Sequence, residues 1–410
     1  MSEKRKDYFW NTLGVFLQNA ISPLLLIVVT RVNGIYDSGI FSYAFSIAIL
    51  FWAIAMWGGR TYQVSDVQKE FSHKNYIIAR IITGVAVIAI TLGFIAINNY
   101  DGVKAHLLIA LTVMKVLESM ADVFYGILQS HRKLYIAGKS LTYKAVLGAA
   151  VFVLLDFVTH NLFLASWGIV AVNIVFLVVY DIRLSKKQET ISLLRGNTTK
   201  QLGKALNILK RCTPIFFVTL LAMLSLNIPR YFLDIHHPDK MGYFGVIAMP
   251  ITLIVLIVSF ILQPKVVELS QLYASNQRVL FAHEIKKILA LTMSIGIVLF
   301  GVTFLVGVPI LNVVFGVDFS NFHTELMVMI VGGILNSLVS VFMNILVIMR
   351  QIYSQLIILA TTCGGLAIFG GEIVLHQGFM GAVMAFAITC ALQACALAVS
   401  YRASLGALRS

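Results

Sequence analysis

This chain reads as an all-α polytopic membrane protein. It has about twelve transmembrane helices in two six-helix lobes, related by a pseudo-two-fold axis along the membrane normal, with both termini cytoplasmic. Three observations predict this. Hydrophobic residues make up 59% of the 410 and charged residues 12%, with a mean hydropathy of +0.89, so the charge is about half that of an ordinary soluble domain. Apolar runs of about twenty residues, the length that crosses a hydrocarbon core as a helix, recur from end to end. Lys and Arg crowd into every second loop. Ten-residue alternating segments, the mark of a membrane β-barrel, are not seen.

Taken in order, the spans fall over 8–30, 38–57, 77–97, 105–128, 134–158 and 161–180. After a polar connector come 212–233, 241–262, 288–308, 326–349, 353–373 and 380–401. The first run is long enough to span and shows no clear cleavage site. Basic residues mark the N-terminus (Lys4, Arg5, Lys6), then Arg60, Lys69 and Lys74, Arg132 and Lys133, 183–211, Lys265 to Lys287, Arg350, and finally Arg402 and Arg409. The alternate loops hold Arg31, Lys104, Arg230 and Lys240 beside acids. That asymmetry sets the orientation and accounts for the net charge of +13, so nucleic acid is not the expected partner. Membrane lipid is.

The basic, partly amphipathic stretch 181–206 reads as a cytoplasmic linker between a first lobe, 1–180, and a second, 207–410. The lobes echo each other. Span one leads through Arg31 and Asp37 into Gly39-Ile40-Phe41; span seven leads through Arg230 and Asp234 into Gly242-Tyr243-Phe244. Parallel repeats of this kind place a pathway between halves. Cys212, Cys363, Cys390 and Cys395 lie in apolar segments without metal or redox spacing, so they read as packing and no metal site is expected.

Ionisable residues inside spans cost about 2.5–3.5 kcal/mol each at a helix centre, which makes them informative. Lys115, Glu118 and Asp122 share one face of span four, and Lys144 lies about 15 Å along span five at 1.5 Å per residue. A pairing of Lys144 with Glu118 or Asp122 is expected. Two readings stand: a self-neutralising packing network, or the wall of a polar cavity in which Glu118 and Asp122 couple to an ion. Arg31 and Arg230 likewise read either as headgroup anchors or as paired guanidiniums that take phosphate oxygens bidentately, with Asp37 and Asp234 holding them when the site is empty. Pro229 and Pro250 fall where a hinge would serve alternating access, or a static kink would suffice.

Three stretches carry a family resemblance: "TRVNGIYDSGIFSYAFSIA", "DVFYGILQSHRKLYIAGKSLTYKAVLG" and "NIPRYFLD…MGYFGVIAMPI". In that order they resemble the Wzx-type polysaccharide-unit flippases of the multidrug/oligosaccharidyl-lipid/polysaccharide exporter superfamily. The resemblance implies two six-helix lobes around a cationic cavity and transport of a lipid-pyrophosphate-linked oligosaccharide to the outer leaflet. Arg31, Arg230 and Asp234 match its motif positions, and Asp122, Gln129, Lys139 and Ser140 lie in its span-four to span-five signature. Many relatives carry two further helices for which these 410 residues have no segment.

The expected function is therefore a flippase in a bacterial cytoplasmic membrane. It would pass a polyprenyl-pyrophosphate oligosaccharide outward by alternating access, driven by H+ or Na+ and without a cofactor. Lys115, Lys144, Arg31 and Arg230 would face the anionic headgroup, and a polysaccharide polymerase would take the product. A cation-coupled multidrug exporter is the first rival. A membrane polymerase or ligase is the second, but it would need a long external loop with converging acid–base residues, and the adjacent His236 and His237 do not supply one.

Overall fold

A computed structural model of the chain describes residues 3–66, 70–188 and 198–407. Lys69, Arg409 and positions 189–197 of the expected linker lie outside the described residues.

Helix α1 (Glu3–Asn33) turns into α2 (Ile35–Met56) at Gly34, whose φ of 90° suits a residue without a Cβ. The short α3 (Gly59–Ser65) follows, then α4 (His73–Ile97), opened by a capping box in which Ser72 and Asn75 satisfy each other's backbone N–H. Next come α5 (Gly102–Ser130), α6 (Leu134–Thr159) and α7 (Leu162–Val175), the last capped by Asn161, which accepts from Phe163 N and Leu164 N. A π-helical stretch, Phe176–Ile182, joins α7 to α8 (Arg183–Lys186), so Asp181 is helical. Helix resumes in α9 (Thr198–His236).

Helix α9 passes through Pro214 and Pro229 without a break, so Pro229 lies inside a helix. The span expected over 241–262 falls within one apolar run long enough to cross, Pro238–Leu262, and is interrupted once, between α10 (Met241–Ile247) and α11 (Met249–Ala274). The reason is Pro250. It occupies the first turn of α11, where its missing N–H costs nothing, and the ladder is interrupted just before it. α12 (Arg278–Phe315) and α13 (His323–Ile348) follow. α14 (Ile352–Ala407) is interrupted at Gly378, with φ 57° and ψ −133°.

Ten helical runs among the described residues are long and apolar enough to cross a membrane. The 29-residue α5 is not one of them, because Lys115, Glu118 and Asp122 interrupt its apolar sequence. The 56 residues of α14, at 1.5 Å each about 84 Å, exceed what one crossing needs.

Two compact units are present, Met1–Leu220 and Leu221–Ser410, with the boundary inside α9. In the first, α5 packs against α2, α4 and α7, and α1 lies along α6. That last pair touches backbone to backbone: a Cβ on Gly138 would sit 2.4 Å from the Trp10 carbonyl carbon. The first part of α9 belongs to this unit. Trp57 stacks on Phe216 at 3.6 Å and donates from Nε1 to Leu209 O, and Asn75 donates to Gln201. In the second unit α13 is central, against α11, α12 and α14. Large apolar side chains point outward along many helices, among them Ile97, Phe157, Ile297, Leu305 and Ile368. A bilayer, not water, suits such a surface.

Candidate functional site

Helix α5 builds the polar interior of the first unit. Lys115, Glu118, Asp122, Tyr125 and Gln129 follow a spacing of three, four, three and four residues, so all five fall on one face. The stripe runs about 21 Å at 1.5 Å per residue, and three groups of partners gather along it.

The first group is local. Lys115 Nζ lies 2.8 Å from Glu118 Oε2, which also accepts from Gln18 Nε2 at 3.2 Å. The ammonium sits 5.2 Å from the Phe45 ring.

The second centres on Asp122. Arg60 Nη1 donates to its Oδ1 at 3.0 Å, and Arg80 Nη2 approaches Oδ2 at 3.7 Å. Arg60 also donates from Nε and Nη2 to Gln129 Oε1, at 3.3 and 3.1 Å. The Arg80 side chain is only 3% exposed. Its Nη1 donates to Ala55 O at 2.6 Å and to Met56 O, two of the orphan carbonyls at the end of α2. One carboxylate between two guanidiniums leaves a net positive charge here.

The third joins α6 to the π-helical stretch. Lys144 Nζ donates to Asp181 Oδ2 at 2.6 Å, and Ser140 Oγ donates to Oδ1 at 2.6 Å. Tyr125 OH lies 3.0 Å from Ser140 Oγ. The Tyr125 ring has Lys144 Nζ 5.2 Å from its centroid and Arg60 Cζ 6.0 Å from it, so one aromatic ring links the second and third groups.

The expected pairing of Lys144 with Glu118 or Asp122 is therefore replaced by one with Asp181. Glu118 is taken by Lys115 on its own helix, and Asp122 by two arginines. Sequence reasoning missed three of its charged members. In the sequence Asp181 opens the linker, Arg60 looks like a loop charge that marks topology, and Arg80 lies unpaired inside the apolar run 77–97. Arg80 carried a usable signal, since a charge just inside an apolar run needs a buried partner. Of the signature residues, Gln129 binds Arg60 and Ser140 binds Asp181.

The remaining candidates lie elsewhere. Arg31 is in the last turn of α1 and exposed, and Asp37 is in the first turn of α2, where a carboxylate suits the helix dipole. Arg230 lies near the end of α9 with its guanidinium carbon 5.6 Å from the Phe244 ring centroid, and Asp234 is buried one turn on.

Residues 5–269 match the family described as "Polysaccharide biosynthesis protein". The "Capsular polysaccharide biosynthesis protein CapF" of Staphylococcus aureus is 25% identical over 349 residues, 83% of this chain and 85% of that protein. Among solved structures, an inward-facing multidrug resistance MATE family transporter of the MOP superfamily aligns with a TM-score of 0.73 at 12% identity, covering 97% of this chain and 99% of that one. Lipid II flippase MurJ, in an inward closed conformation, aligns at 0.66 and 14% identity, covering 98% and 87%. At such identities the structures speak for the fold alone, that of multi-pass membrane transporters. The family match covers more than half the chain, and the residues that carried the resemblance at 31, 122 and 230 fall within it: the chain belongs to the polysaccharide biosynthesis protein family.

Proposed function

We propose that this protein is a flippase. It moves a polyprenyl-pyrophosphate-linked oligosaccharide from the cytoplasmic to the outer leaflet of a bacterial cytoplasmic membrane, for cell-surface polysaccharide synthesis. The observation that carries this reading is the family match over residues 5–269. The charged stripe of α5 within an otherwise apolar unit adds support, since intramembrane charge marks a substrate or ion path.

In this reading the chain crosses the membrane about twelve times, with α5 one crossing and α14 two, and both termini lie in the cytoplasm. Lys115 and Lys144 compensate the pyrophosphate inside the protein, while Arg31 and Arg230 receive it towards the outer face. Glu118, Asp122 and Asp234 keep cations neutralised between transport events. The polyprenyl tail stays in lipid. The flexing points are the Pro229 turn of α9 and the break before Pro250, and an H+ or Na+ gradient drives the cycle. A polymerase in the same membrane would take up the delivered unit.

Native mass spectrometry of protein gently purified from its own host tests this. A retained mass fitting a polyprenyl-pyrophosphate oligosaccharide supports it. The MATE likeness keeps one rival in view, and bulk phospholipid alone, with added cationic drugs bound in its place, would favour drug export.

A further inference from the structure

We propose that Asp181 is a proton-binding site whose occupancy is set by whether Lys144 is engaged with an anionic headgroup. This rests on the flippase reading and adds to it a second ligand, a proton, at a place nothing in the family match assigns.

Asp181 has no exposed side-chain surface, and Lys144 is 8% exposed. The carboxylate is held charged by two donors, Lys144 at 2.6 Å and Ser140 at 2.6 Å. Little else nearby could do so. Helix α7 contributes no titratable residue, and α5 presents the Tyr125 hydroxyl, itself bonded to Ser140. The charges of α5 are spoken for, Glu118 by Lys115 and Asp122 by Arg60 and Arg80. On α6, Lys139 lies against Trp10 and Tyr135. Tyr180 precedes Asp181, and Arg183 and Lys186 follow on α8. Lys144 is thus the one cation in hydrogen-bonding contact among the described residues.

A buried carboxylate that loses its only cation is strongly disfavoured and takes up a proton instead. A pyrophosphate drawing the Lys144 ammonium away would do this. The headgroup gains a charged hydrogen bond, Lys144 stays protonated, and one proton passes from water to an Asp181 oxygen. When the headgroup leaves, Lys144 returns and the proton is released to the side it came from, so it is distinct from the ion whose gradient drives the cycle. The support is where Asp181 sits: π-helical segments interrupt regular helix packing and recur at functional sites.

The test uses the intact protein in weakly buffered detergent with farnesyl pyrophosphate as probe, following binding by calorimetry and protons with a pH-indicating dye. The expected result is uptake of about one proton per bound ligand at near-neutral pH. Infrared difference spectra should show a protonated carboxyl C=O band, absent in Asp181→Asn and retained in Glu118→Gln. Binding without proton uptake overturns this inference and leaves the flippase reading standing; no binding overturns this inference, and the flippase reading falls with it only if the purified protein also retains no polyprenyl-pyrophosphate oligosaccharide. Should Asp181→Asn fail to accumulate, the neutral pair Asp181→Asn/Lys144→Gln buries no lone charge. Proton uptake by that pair equal to wild type, per ligand bound, would likewise overturn the proposal.

Discussion

At the scale of single residues, the two arginines on Asp122 are not equivalent. Arg80 has 3% of its side chain exposed and Arg60 26%. Removing Asp122 strands a desolvated guanidinium, so Asp122→Ala should destabilise by about 3 kcal/mol, the cost typical of breaking a buried pair. Arg60→Ala, whose loss leaves Arg80 on the carboxylate, should cost less than half of that. Melting temperatures in detergent would decide, and equal losses would refute the ranking. Arg230→Glu should abolish polysaccharide export while the protein still accumulates; normal export would reduce Arg230 to a lipid anchor. A pH effect belongs to Asp66, in the connection before α4. Burial alone would push its carboxyl up, but donation from Phe71 N, Glu70 N and the Tyr76 hydroxyl outweighs this and holds it below the usual range. A depressed folded value stabilises above the unfolded carboxylate range and is lost as pH falls through the folded one. The Tm gap between wild type and Asp66→Asn should therefore be full at pH 7 and close below about pH 4. The stripe on α5 could be read directly, because helical spacing puts Lys115, Glu118 and Asp122 on one face. Their partners could not, since Arg60, Arg80 and Asp181 reach them through tertiary packing that no local pattern encodes.

At the scale of elements, helix contacts separate positions that look alike in sequence. A methyl on Gly138 would collide with the backbone of α1 at Trp10, so Gly138→Ala should cost about 2 kcal/mol or more, as overpacking does. Gly203, exposed on α9 with nothing within 4 Å of a new Cβ, should accept alanine with a gain of about 0.5–1 kcal/mol. Opposite signs in Tm are expected, and a shared sign would contradict the packing. Most helices were legible because apolar runs have few alternatives inside a membrane. At Pro250 a hinge or kink was legible but a new helix start was not, since proline is equally at home in both. Similarly, Asp181 in "VVYDIRLSKK" looks like a loop residue until the helix is seen to continue through Ile182.

For the whole molecule, orientation is the open quantity, and the alternation of basic loops makes a definite statement about it. A cysteine replacing Asp101, between α4 and α5, should react with a membrane-impermeant thiol reagent in intact cells. One replacing Ser275, between α11 and α12, should react only after the membrane is opened. The reverse pattern would invert the protein in the bilayer. The overall positive charge was visible from the start, but its division was not. Arg60 belongs at once to the topological signal and to the interior, so a count of loop charges overstates what faces anionic lipid.

The junction between the two units has a consequence for how the chain could be taken apart. The polar connector precedes α9, whereas the boundary lies at Leu220, more than twenty residues further on. A gene split between codons 188 and 198 would therefore give its second product a leading helix whose natural seat is on the first product. That seat is specific: Trp57 for Phe216, Glu70 for Arg211 at 2.7 Å, Asn75 for Gln201. Co-expressed halves should find each other and co-purify, and Trp57→Ala should weaken the reassembly. Because that leading helix is seated on the first product, the protein should tolerate a nick in its backbone better than the loss of one indole.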